Sequence, residues 1–135
     1  MSGQGKMPRK DALWEAGLEV RRSVVGSDYV DASLAGMDDF NADLQDFLTR
    51  TAWGDVWTRP GLARRDRSLL NIGWLIGMSR WEELKLHLKG ALRNGLTRDE
   101  IKEAILQSAI YCGAPAALEA TRVARAAFAE MDADA

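Results

Sequence analysis

Apolar residues recur three and four positions apart along almost the whole chain. No run alternates with a period of two between hairpin-type turn pairs, so the pattern predicts an all-α protein built as a bundle of about six helices. The first, Asp11 to Val25, carries Trp14, Leu18, Arg21 and Val25 along one side, with Leu13, Val20 and Val24 beside them. The second begins at Asp38, a good cap residue, and aligns Phe40, Leu44, Phe47, Leu48 and Thr51. Trp53 to Gly61 reads as a loop, because Gly54 and the Pro60-Gly61 pair punctuate it. The third helix, Arg64 to Met78, distributes Leu69, Leu70, Ile72, Trp74, Leu75 and Ile76 around its whole circumference. A helix that is apolar all round is covered on every side, either at the centre of a bundle or in a subunit interface, and Gly73 and Gly77 would admit a neighbouring backbone. The fourth, Trp81 to Asn94, stops at Gly95. Thr97 and Glu100 form a capping box for the fifth, whose inner stripe runs through Ile101, Ala104, Ile105, Ser108, Ala109 and Cys112. Pro115 opens an Ala-rich sixth helix that continues through Phe128.

With 135 residues, 47% of them hydrophobic and 28% charged, the chain suits one soluble domain over residues 11–135, behind a frayed basic tail at 1–10. The lone Cys112 excludes an intrachain disulfide and fits a reducing, cytoplasmic setting; on its stripe it reads as an inert core residue, with a thiol nucleophile as the alternative. No apolar run is long enough for a signal peptide or a membrane span, so no membrane partner is expected. The formal charge of −2 conceals an asymmetry. Gly26 to Trp57 holds seven aspartates against Arg50, a net of −6, and Thr58 to Arg67 then holds Arg59, Arg64, Arg65 and Arg67 against Asp66, a net of +3. Four clustered arginines are too few and too local for a nucleic-acid partner, but they suit a small anion.

Placing the fourth helix at about 100° per residue separates three strips. Leu84, Leu88, Ala91 and Leu92 face the core, Lys85, Lys89 and Arg93 face solvent, and a boundary strip holds Arg80, Glu83, His87, Gly90 and Asn94. Glu83 stands four residues before His87, so the two side chains can meet and the carboxylate favours the imidazolium. That makes His87, the single histidine, a candidate proton donor near neutral pH, the alternative being a hydrogen-bonded edge residue. One histidine and one distant cysteine cannot build a zinc site, so no metal is expected, and no phosphate-binding or dinucleotide motif is present.

The segments WGDVWTRPGLARRDRSLL (Trp53 to Leu70), EELKLHLKGALRNGLTRDEIKEAI (Glu82 to Ile105) and YCGAPAALEA (Tyr111 to Ala120), with the upstream GLEVRRSVVG and DDFNADLQDFL, resemble the 4-carboxymuconolactone decarboxylase family over about residues 17 to 128. The resemblance implies an all-helical fold of the alkylhydroperoxidase D-like type, assembled as a homo-oligomer, a hexamer or a trimer. It implies cofactor-free conversion of 4-carboxymuconolactone to β-ketoadipate enol-lactone with loss of CO2, in the protocatechuate branch of the β-ketoadipate pathway. The redox members of the wider superfamily carry cysteines where this chain has Arg80 and Glu83, which excludes a thiol peroxidase mechanism. On this reading His87, oriented by Glu83, donates the proton. Arg59 and Arg67 anchor carboxylate, Trp53 and Trp57 wall the pocket, and Arg80 or Tyr111 bonds the lactone oxygen. The chain departs from the family's pattern at Asn71, Gly73 and Trp74, where small aliphatic residues are usual, and at Ser79, where a glycine is usual. Isomerisation or hydrolysis of a related carboxylated lactone, and a non-catalytic module that binds a small acid, are the alternatives.

Overall fold

The helical period is realised over most of residues 11–135, the part of the chain that the computed structural model describes; the basic stretch 1–10 lies outside the described residues. No strand occurs among the described residues. The chain divides after Gly61 into two compact units.

The first unit holds α1 (Ala12–Val25), α2 (Ser27–Ala35), α3 (Ala42–Leu48) and a π-helix (Thr49–Val56). Asp11 starts α1 by accepting the Trp14 N–H at 3.0 Å. The helix buries Trp14, Val20, Val24 and Val25. It also buries Arg21, whose guanidinium donates to Gln45 Oε1 at 3.0 Å and to Thr49 Oγ1 at 3.4 Å. Helix α2 was not foreseen: it buries only Val30, too little to print an amphipathic period. Asp38 does not cap α3. Its carboxylate closes a turn by accepting the N–H groups of Phe40 and Asn41, and the cap position falls to Asn41.

The expected loop at Trp53 to Gly61 is corrected. The π-helix continues α3 through Val56, with the Trp57 N–H donating to the Ala52 carbonyl five residues back at 2.9 Å, and only residues 57–61 turn. Gly54 is not a break but a contact point. A Cβ there would lie 2.8 Å from the Leu13 carbonyl oxygen, and one on Gly17 would lie 2.0 Å from that of Thr49. The two glycines let the backbones of α1 and the π-helix touch.

The second unit holds α4 (Arg64–Gly77), α5 (Trp81–Arg93), α6 (Arg98–Tyr111) and α7 (Ala114–Ala133). Its core joins Ile72 and Ile76 of α4, Leu84, Leu88 and Ala91 of α5, Ile101 of α6, and the small residues Ala120, Ala124 and Ala127 of α7. Helix α4 is not the covered centre of a bundle: only its Ser68, Ile72 and Ile76 side is buried, while Leu69, Leu70 and Trp74 are exposed, the indole at 59%. Lys85 and Lys89 do not simply face solvent either. Their ammonium groups reach the two oxygens of the Glu130 carboxylate at 3.2 and 3.0 Å, tying α5 to α7. The Thr97–Glu100 capping box forms as expected.

Helices α4 and α5 end in the same way. Ser79 N–H donates to Ile76 and Arg80 N–H to Leu75; Gly95 N–H donates to Leu92 and Leu96 N–H to Ala91. This six-to-one and five-to-two pairing requires a left-handed residue after the cap. Gly95 adopts it freely at φ 101°, whereas Ser79 carries a side chain at φ 57°. Ser79→Gly is therefore expected to raise the urea unfolding midpoint, by about 1 kcal/mol in stability. Gly17→Ala, which forces a methyl group into the Thr49 carbonyl, is expected to lower it, by about 2 kcal/mol or more.

Candidate active site

The boundary strip of α5 runs along the flank of α4. Once Leu84, Leu88 and Ala91 enter the core, the 100° step leaves His87 and Asn94 at the edge of the α4–α5 contact, facing polar residues of α4. Asn94 Nδ2 donates to the Oγ of Ser68, a fully buried residue, at 2.9 Å. One turn further along α4, Asn71 Nδ2 lies 3.5 Å from His87 Nδ1. Gly90 is buried, and Arg80 and Glu83 are exposed at the head of the helix.

Two effects act on the His87 imidazole. Burial disfavours the charged ring and is the larger; the Glu83 carboxylate one turn away favours it and offsets part of the loss. The ring's pKa therefore falls below its ordinary 6.5. The expected preference for the imidazolium is reversed in the free protein, because the helical spacing reveals Glu83 while the burial depends on α4. A ring so placed loses a proton readily once charged, which suits proton transfer.

The other expected residues divide between the units. In the second, Arg67 is partly buried on α4, and its neighbour Arg65 is paired with Glu100 of α6. Tyr111, at the end of α6, is exposed and lines an open groove of about 790 Å³ with Leu69, Gly73 and Cys112, a groove that His87 does not line. In the first unit, Trp53 and Trp57 stack with ring centroids 5.1 Å apart and planes 23° apart, and Trp57 is buried. The two indoles stand four residues apart, Trp53 inside the π-helix and Trp57 at its C-terminal cap. Arg59 follows in the turn and is exposed. Ser68 and Asn71 were not singled out as partners of the α5 strip. Their signal is two polar residues three apart on the buried side of a helix that is otherwise apolar from Leu69 onward.

Among the described residues, no group of three or more His, Cys, Asp or Glu side chains is placed to hold a metal ion, and no helix is long and apolar enough to cross a membrane. Because His87 is the single histidine, its NMR titration is read directly. The midpoint is expected below 6.5 in the free protein, and Glu83→Gln, which removes the effect that raises it, is expected to move it lower still.

Residues 42–126 match the carboxymuconolactone decarboxylase family model. The 4-carboxymuconolactone decarboxylase of Acinetobacter baylyi is 45% identical over 118 residues, spanning 87% of this chain and 88% of that protein. The nitrosuccinic acid decarboxylase npaB of Metarhizium robertsii is 45% identical over 119 residues, spanning 88% of this chain and 83% of that protein. An all-helical chain with these motifs in order, matched by that model over most of its length, belongs to the carboxymuconolactone decarboxylase family.

Proposed function

We propose that the protein is a carboxy-lyase that converts 4-carboxymuconolactone to β-ketoadipate enol-lactone and CO2 without a cofactor. The observation that carries this reading is the Acinetobacter baylyi relative, which matches over nearly the full length of both chains. The substrate's departing carboxylate sits on a ring carbon conjugated through a double bond to the lactone carbonyl. As the carbon–carboxyl bond breaks, its electron pair spreads onto that oxygen as a dienolate, so the substrate supplies its own electron sink. The protein has three tasks: anchoring the remaining acetate, stabilising the oxyanion, and returning a proton to carbon.

His87 is the proposed proton donor, with Glu83 beside it, and their electrostatic coupling across one turn of α5 supports the pairing. The neutral resting ring is compatible with this role, because a substrate that carries two carboxylates brings negative charge, which raises the imidazole's pKa on binding. Arg59 and Arg67 are proposed as carboxylate anchors, each through two parallel charge-assisted hydrogen bonds of roughly 1.5–3 kcal/mol. Trp53 and Trp57 supply an apolar wall that favours turning a charged carboxylate into neutral CO2. Arg80 or Tyr111 bonds the lactone oxygen; of the two, Arg80 begins the helix that carries His87.

Self-association as a trimer or hexamer is part of the proposal. The exposed apolar rows Leu69, Leu70 and Trp74 on α4, and Phe40, Leu44 and Phe47 in the first unit, support it, since contiguous exposed apolar surface marks interaction sites. A cytoplasmic setting is proposed with it, on the single cysteine.

A second reading is favoured by the nitrosuccinic acid decarboxylase, which is as similar to this chain as the lactone enzyme. A nitro group is also an electron acceptor, so decarboxylating a nitro acid asks for the same anchors and proton.

Purified protein is expected to release CO2 from 4-carboxymuconolactone without added metal or cofactor, and His87→Ala to lose about 10²–10⁴ of that rate while remaining folded. Turnover of nitrosuccinate alone selects the second reading, ring opening without CO2 selects a hydrolase, and binding without product selects a small-acid-binding module. In analytical ultracentrifugation the protein is expected to sediment as a trimer or hexamer, and Trp74→Glu to shift it to smaller species.

A further inference from the structure

Building on the reading of His87 as the proton donor, we infer that Asn71 is a positioning residue that orients the imidazole and keeps the proton of the neutral ring on Nε2. A neutral imidazole carries one N–H and one lone pair, and the partner of one nitrogen decides which nitrogen holds the proton. Asn71 presents an amide N–H donor to Nδ1 at 3.5 Å. With Nδ2 on the His87 side, as the geometry places it, Nδ1 is the acceptor and Nε2 bears the hydrogen; this is the tautomer the inference assigns. The separation is long for a resting hydrogen bond, as is common in ligand-free sites whose contacts tighten on binding.

The packing around Asn71 fixes this placement. Ile72 beside it is fully buried, and Ser68 one turn earlier is fully buried and holds Asn94 of α5. Helix α4 therefore cannot turn to withdraw the amide without breaking both contacts. The amide also suits both states of a proton donor. When the ring is charged, Nδ1 becomes an N–H donor, and rotating the amide by about 180° about its terminal torsion offers Oδ1 in place of Nδ2. A carboxylate at this position would hold a proton on Nδ1, and an aliphatic residue would offer Nδ1 neither donor nor acceptor. Glu83 and Asn71 thus divide the work: the exposed carboxylate acts on the ring's charge, and the amide acts on its tautomer.

The test records the ¹⁵N spectrum of the single histidine in ¹⁵N-labelled free protein, together with steady-state kinetics. The wild type is expected to show a protonated Nε2 and a lone pair on Nδ1. Asn71→Leu is expected to show a reduced share of the Nε2-protonated form and a kcat lower by about 10–100-fold, the scale seen for groups that orient metal-bound histidines, with KM changed far less. Asn71→Asp is expected to move the proton to Nδ1. A wild-type ring protonated on Nδ1, or a tautomer unchanged in both variants, overturns the inference. If Asn71→Leu does not fold, the Asn71→Asp spectrum decides. The spectrum needs no substrate, so the expected tautomer in a protein that releases no CO2 supports the positioning role and overturns the decarboxylase reading. Full turnover with an unchanged tautomer and kcat in Asn71→Leu does the reverse.

Discussion

The apolar seam between α4 and α5 decides where the polar groups of both helices end up. Ile72 and Ile76 on one side and Leu84 and Leu88 on the other are fully buried, each contributing roughly 1.5–3 kcal/mol on leaving water. The Ser68–Asn94 hydrogen bond along the flank contributes on the order of 1 kcal/mol net. The seam therefore sets the rotation of α5 about its axis, and the polar strip is carried with it. His87, just before Leu88 in sequence, is placed at the edge of the seam, too near the core to be fully hydrated and too near the surface to be sealed.

That edge position explains the balance of effects on the ring. Partial removal from water acts on the imidazolium as a whole, while Glu83 acts through a side chain that is itself exposed, where water weakens its field. Burial wins, and the free ring is neutral at neutral pH. A fully exposed histidine would be a weaker acid when charged, and one fully buried without a carboxylate would rarely be charged at all. The arrangement lies between these limits, and a negatively charged ligand can tip it.

Local chemistry was legible in the sequence, and contacts between distant segments were not. Asp11, Gly95 and the Thr97–Glu100 pair act on their own helix ends, so the limits of α1, α5 and α6 could be read from them. The three strips of α5 followed from a 100° step, and with them the Glu83–His87 pairing. The π-helix depends on Gly17 meeting Thr49 and Gly54 meeting Leu13, contacts that no local pattern encodes, so Gly54 read as a break. Lys85 and Lys89 looked solvent-facing because Glu130, which holds them, arrives on α7. The direction of the His87 shift follows the same rule: the carboxylate that favours the charged ring lies on the same helix and shows in the spacing, while the burial that outweighs it comes from packing.

A proton donor in a decarboxylase gives up one proton in each cycle and must recover it before the next. A ring sealed among Leu84, Leu88 and Ile72 would protonate the dienolate well and then recharge slowly, since no charged intermediate crosses an apolar layer cheaply. His87, as the proposed donor, escapes this because its surroundings are asymmetric: buried Leu84 and Leu88 flank it on its own helix, while Glu83 one turn away is exposed and favours the charged ring. On the proposed mechanism, the one-turn spacing of Glu83 and His87 would serve both halves of the cycle: the carboxylate stabilises the charged ring and would stand beside the route by which it is recharged.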